Sequence, residues 1–223
     1  MVLSNGRFQF RAGRLLLSII LLAGLTYLFI DLAKGIDGDS LYRFDMGIIQ
    51  VVQGSINDLS TKLLLLLTSL GSVKGNAVLV ILFSIWFIWK KQYLSTAFLI
   101  FVTLSGGFVN RYLKWTFQRE RPSLNPLVVE NGFSFPSGHS MSSFILYGAL
   151  MIIATRMTRN WNVRIPIYFV CGMMILLMGY SRIYLGVHYP SDVLGGYAAG
   201  GVWLIISAWV FNYVEFLGRK KKR

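Results

Sequence analysis

Six apolar stretches decide most of what this chain can become: about Leu15–Ala33, Asn76–Trp89, Tyr93–Tyr112, Ser140–Thr155, Ile165–Tyr180 and Val193–Leu217. A helix crossing a hydrocarbon core of roughly 30 Å needs about 20 mostly apolar residues. The second, fourth and fifth stretches reach that length only with flanking residues. The sequence is 55% hydrophobic and 14% charged, against roughly 25% charged in an average soluble domain. Disorder is excluded and a soluble globule disfavoured. The expected fold is all-α, a six-transmembrane-helix bundle forming a single domain over residues 1–223. Cys171, the one cysteine, lies in an apolar run and permits no intrachain disulfide or Cys-based zinc site.

Between the first two spans, Gly35–Lys74 is broken up by Asp37, Asp39, Asp45 and Asp58. Its five-leucine run, Leu63–Leu67, is too short to span and reads as an interfacial or re-entrant helix against the bundle. A net charge of +13 invites a nucleic-acid partner. The basic residues sit at span ends, however, so they read as a topology signal and a contact for anionic lipid, with no nucleic acid. With both termini cytoplasmic, 13 of the 22 Lys and Arg fall inside, among them Arg7, Arg11, Arg14, Lys90, Lys91, Arg156, Arg159, Arg164 and the tail from Arg219 to Arg223. Only one acid, Glu215, accompanies them. The expected location is a multi-pass position in the plasma membrane. The first span has the basic start of a signal peptide, but its apolar run is long and no clear A-x-A site follows, so it reads as retained.

The loops assigned to the outer face hold the unusual chemistry. Lys114 and Arg121 are seven residues apart, so on a continuing helix they project to one side, with Pro122 then stopping it. Ser137-Gly138-His139-Ser140 opens the fourth span, where glycine permits close backbone approach and free helix N–H groups favour an anion. Arg182 adds a planar fork of donors suited to phosphate oxygens. His188 stands four residues before Asp192, whose carboxylate can fix the imidazole tautomer and leave the other nitrogen to attack. His139, the only other histidine, can protonate a departing alkoxide. The residues support phosphoryl transfer through a phosphohistidine.

Lys-x6-Arg-Pro, then Pro-Ser-Gly-His, then Ser-Arg-x5-His-x3-Asp resembles the three-part signature of the type-2 phosphatidic acid phosphatase (lipid phosphate phosphatase) superfamily, with every block in order between Lys114 and Asp192. The resemblance implies a six-helix membrane bundle and catalysis with no metal or cofactor. It assigns phosphate binding to Lys114, Arg121 and Arg182 with Ser137 and Gly138 assisting, and makes His188 the nucleophile, Asp192 its partner and His139 the acid. The small size is similar to the bacterial branch, whose members dephosphorylate phosphatidylglycerophosphate, phosphatidate or undecaprenyl diphosphate. A lipid phosphate is therefore the expected substrate, with membrane lipids as neighbours. The rival readings are a phosphotransferase with the same intermediate, a sugar phosphatase with a soluble substrate, and a phospholipid or polyprenyl carrier without chemistry.

Other features carry duller expectations. Arg119 and Glu120 read as a solvated or mutually paired face, and Asp192 also suits the N-cap of the sixth span. Gly195, Gly196, Gly200 and Gly201 read as close helix packing, with a homodimer interface as the lesser alternative; Gly106 and Gly107 read the same way. Asn110 either bonds within the site or bridges helices. Trp86, Trp89, Tyr93, Tyr112 and Trp115 fit an aromatic belt.

Overall fold

The structure, a computed structural model, describes residues 5–123 and 126–220, with side chains over 13–123 and 126–216. Lys221, Lys222 and Arg223 of the basic tail lie outside the described residues. Eight helices and no strand are found among the described residues: α1 (Asn5–Lys34), α2 (Asp39–Gln53), α3 (Asp58–Ser69), α4 (Val73–Trp89), α5 (Tyr93–Phe117), α6 (Gly138–Met157), α7 (Trp161–Tyr184) and α8 (Pro190–Lys220). Local chemistry sets several starts. Asn57, Ser72, Ser137 and Asn160 each precede a helix and accept a backbone N–H of its first turn.

Among the described residues five helices are long and apolar enough to cross a membrane: α1 from Gly13, α5, α6, α7 and α8 to Phe216. The fourth and fifth apolar stretches gain full length by recruiting flanking residues, giving α6 20 and α7 24 residues. The second does not. At 17 residues α4 passes the same test only when joined to α3, and that pair is bent by 59° at Leu70–Ser72. The segment between the first two spans is thus two helices, with the leucine run on α3, where Leu64 packs with Tyr184, Leu185 and Val187.

Helix α6 is the hub, with 61% of its apolar window buried against 6% for α1. It packs on α5, α7 and α8, and Met141, Ile145, Leu146, Ala149 and Ile153 anchor the main core there. Glycine makes the α6–α8 approach close. A Cβ on Gly196 would stand 2.7 Å from the Ser137 carbonyl, and one on Gly200 would stand 3.0 Å from that of Met141. Gly195 meets Phe135, while Gly201 meets Leu25 and Phe144, so the small-residue stripe is used inside the chain. Gly106 likewise faces Ile145, whereas Gly107 is open. Trp86, Trp89, Tyr93, Tyr112 and Trp115 are all exposed.

The bundle has two chemically different ends. At one, the C-termini of α5 and α7 meet the N-termini of α6 and α8, tied by Ser137 N–H to Asp192 O at 2.9 Å and Ser134 N–H to Arg119 O at 2.7 Å. At the other, Arg156 pairs with Glu215 at 3.3 Å and also bonds Asn212.

Candidate active site

Each signature residue comes from the first end of the bundle. Lys114 lies in the last turn of α5, Ser137 caps α6, Gly138 and His139 open it, and Arg182 lies in the last turn of α7. His188 sits in the short link to α8, and Asp192 in the first turn of that helix. Two expectations about placement are corrected. Arg121 is not on a continuation of α5, because Gln118 adopts a left-handed conformation (φ 47°) and closes the helix before Pro122 is reached. Arg121 instead enters from the segment joining α5 to α6. Asp192 is not the N-cap of α8 but two residues inside Pro190, and its Oδ2 accepts the N–H of Tyr189 at 2.9 Å. That is the back-reaching half of a capping box, behind a proline at the first helical position.

His188 is 1% exposed. Its Nδ1 lies 3.3 Å from Asp192 Oδ2 and 3.2 Å from Ser134 Oγ. Its Nε2 lies 3.2 Å from Arg121 Nη1. A guanidinium can only donate, so Nε2 accepts and the ring proton is on Nδ1, facing the carboxylate. Burial pushes the His188 pKa down to about 4; Asp192 opposes this, and Lys114 and Arg121 add to it. The imidazole is therefore neutral at neutral pH, with its unprotonated nitrogen directed at the cations.

Those cations converge around a carboxylate. Glu130, in the α5–α6 segment, pairs with Arg121 at 3.2 Å and, more closely, with Arg182. His139 and His188 also act on it electrostatically. Partial burial works against the Glu130 charge, but Arg182 and its neighbours outweigh it and hold the carboxyl below its ordinary pKa. Arg182 is 1% exposed, and its Nη1 donates to Thr68 Oγ1 at 2.7 Å. Its buried Nε has no partner among the described residues, which leaves a donor for a ligand oxygen. Lys114 Nζ is held by the carbonyls of Phe133 and Ser134. Gly138 lets α6 approach α5, since a Cβ there would stand 3.1 Å from Asn110 Oδ1. Asn110 in turn donates to the Pro136 carbonyl at 3.4 Å, so it bridges α5 to the turn before α6.

Sequence reasoning missed several residues. Arg119 is 8% exposed, not on a solvated face, and pairs with Asp45 at 2.9 Å and Asp192 at 2.8 Å. Ser134 bonds both His188 and Asp192, Ser191 bonds Arg119 and Asp45, and Glu130 and Thr68 meet Arg182. One signal was available for Asp45: an acid between Phe44 and Met46, next to Ile48 and Ile49, is a candidate for burial. Among the described residues no cluster of three or more His, Cys, Asp or Glu could hold a metal ion.

An all-helical membrane bundle that gathers cations and a histidine–carboxylate pair at one end has the chemistry to receive an oxyanion. The sequence model of the PAP2 superfamily matches residues 95–216. The chain belongs to that superfamily and is a hydrolase acting on phosphate esters. It is 28% identical over 184 residues to phosphatidylglycerophosphatase B of Bacillus subtilis, covering 79% of this chain and 87% of that one. A lipid A 1-phosphatase of Rhizobium johnstonii is 30% identical over 125 residues, 52% of this chain and 47% of its own length. The crystal structure of a transmembrane PAP2-type phosphatidylglycerolphosphate phosphatase from Bacillus subtilis superposes with a TM-score of 0.80 at 26% identity, covering 86% of this chain and 96% of that one.

Proposed function

We propose that this protein is a membrane lipid phosphatase that removes a terminal phosphate through a phosphohistidine at His188. The observation that carries the reading is the orientation of His188: Nδ1 is committed to Asp192, and Nε2 opens onto Arg121 beside Glu130 and Arg182. A substrate phosphate takes the position that the Glu130 carboxylate holds between the two arginines. Arg121, Lys114 and Arg182, with the orphaned Nε of the last, meet the equatorial oxygens; at the start of α6 the Gly138 N–H adds a backbone donor, while Ser137, whose own N–H is given to Asp192 O, assists by capping the helix.

His188 Nε2 then attacks phosphorus in line, forming the N–P bond as the P–O bond to the lipid breaks. The departing oxygen takes its proton from His139, whose protonated form is favoured by the negative charge of the bound phosphate. Asp192 stabilises the positive ring that results. Water next attacks the phosphohistidine while His139 accepts the water's proton. The N–P bond breaks, inorganic phosphate forms, and Nε2 regains its lone pair. Fixed donors at the equatorial oxygens supply most of the transition-state stabilisation.

The substrate is a lipid phosphomonoester or polyprenyl diphosphate. Similarity to phosphatidylglycerophosphatase B over 87% of that protein favours the phosphatidylglycerophosphate class. In this reading α3 and α4 together make the sixth crossing, both termini are cytoplasmic and the site faces outward, supported by the basic residues at the opposite end. The test is phosphate release in detergent from phosphatidylglycerophosphate, phosphatidate and undecaprenyl diphosphate. The reading expects release by the wild type and none by His188→Ala. Wild-type rates in His188→Ala would end it.

A further inference from the structure

Asp45 has no exposed surface, and a buried carboxylate is tolerated only with partners of good geometry. Its partners lie outside its own helix. Oδ1 accepts the Ser191 N–H at 2.8 Å, one of the free donors at the start of α8, so α2 supplies α8 with a cap in trans. Oδ2 accepts from Ser191 Oγ at 2.6 Å and from Arg119 Nη2 at 2.9 Å. Arg119 turns its other nitrogen, Nη1, to Asp192 Oδ1 at 2.8 Å and to Ser191 Oγ at 2.7 Å. Its guanidinium also lies 4.1 Å from the ring centre of Tyr189, next to His188. Asp45, Ser191 and Asp192 are wholly buried and Arg119 is 8% exposed.

We propose that Arg119 and Asp45 are positioning residues for the His188–Asp192 pair, with Arg119 holding one carboxylate oxygen of Asp192 so that the other faces the imidazole. A carboxylate free to rotate can offer either oxygen or swing off the ring. Here Oδ1 is taken by Arg119, and Oδ2 faces His188, Ser134 and the Tyr189 N–H. Asp45 completes the device, because a guanidinium held on both arms cannot turn away from Asp192. The arrangement also gives α2 a function. Asp45 lies outside residues 95–216, so a residue beyond the family match reaches the His188–Asp192 pair through Arg119. Neither residue touches the point where phosphate is placed, so both act on the nucleophile's orientation and not on substrate affinity.

The inference rests on His188 being the nucleophile, and its test separates the two claims. The protein has two histidines, so ¹⁵N-histidine labelling gives two imidazoles, assigned with His139→Gln. The wild type is expected to show His188 as the Nδ1–H tautomer alone. Arg119→Gln is expected to give a tautomer mixture and to lower kcat by about 10–100-fold, the range for groups that orient a reacting residue through hydrogen bonds. KM stays within about threefold, as expected when uniform substrate binding is untouched. Asp45→Asn, which keeps the volume, produces the same two changes to a smaller degree. The double variant is no slower than Arg119→Gln, because the two act through one contact. Unchanged tautomer and kcat in Arg119→Gln, or multiplicative losses in the double variant, overturn the proposal. If Arg119→Gln does not fold, Asp45→Asn decides by the same spectrum and rate. Full activity in His188→Ala removes the reading beneath, while the tautomer spectrum still reports on the network.

Discussion

Two regions deliver polar groups to the same end of this bundle by different means. Helices α5 to α8 carry Lys114, His139, Arg182 and Asp192 at the ends of membrane-length segments, where an apolar body fixes each polar tip. Helices α2 and α3, with 15 and 12 residues, are too short to span, yet contribute Asp45 and Thr68 from their buried faces. In the proposed mechanism the first region holds the groups that meet phosphate or the nucleophile, while from the second Thr68 bonds Arg182 and Asp45 reaches Asp192 through Arg119. Changes in the first should therefore remove the chemistry, while changes in the second should degrade it.

The largest expected effect is at His188. His188→Ala should lower kcat by about 10³-fold or more, since a missing nucleophile has no substitute among the two histidines. Next is Arg182→Lys, which keeps the charge but loses the fork; kcat/KM should fall about 10²-fold in a phosphate-release assay, the scale of a lost oxyanion donor. A loss under threefold would place Arg182 outside the site.

Acidity probes the first region in another way. His188 titrates at about 4, below its ordinary 6.5, so it stays neutral and nucleophilic above that value. After correction for substrate ionisation, kcat/KM should fall as pH drops through about 4. At pH 5 it should retain about 30-fold more activity than an ordinary histidine would allow. An acid limb near 6.5 would show that His188 is hydrated.

Smaller effects follow at the edges of the site. Glu130→Gln should lower KM for a phosphomonoester and the inhibition constant of inorganic phosphate by a common factor of about fivefold, because a competitor for Arg121 and Arg182 is weakened. Thr68→Val should lower kcat/KM about threefold to fivefold, the scale of one supporting hydrogen bond, because Thr68 steadies Arg182 without itself meeting phosphate. If it matched Arg182→Lys, the division between touching and supporting groups would fail.

The same division explains what was legible in the sequence. Apolar length picked out the five helices long and apolar enough to cross, and left open only α4, whose 17 residues reach that length only when joined to the bent α3. The spacing Lys114 to Arg121, Ser137 to His139 and Arg182 to Asp192 located residues the fold brings together, because each block is local and sits at a helix end. Arg119, Asp45 and Ser191 form contacts across 72 to 146 residues of separation, and no local period records such a contact. Arg119 looked solvated because a charge in a loop usually is; its burial depends on a carboxylate from α2 that its own segment does not reveal. Gln118 shows the opposite limit, where a single left-handed residue redirects Arg121 although Pro122 is the visible breaker.

The account depends on His188 Nε2 becoming the atom that bears phosphorus. Rapid acid-free quenching of the enzyme during turnover of a lipid phosphate, followed by peptide mass spectrometry, reads this directly. A phosphoryl group on His188, stable to base, labile to acid and absent from the Asp192→Asn protein at the same time point, is the predicted result. Turnover with His188 unmodified, or phosphate found on another side chain, would contradict it.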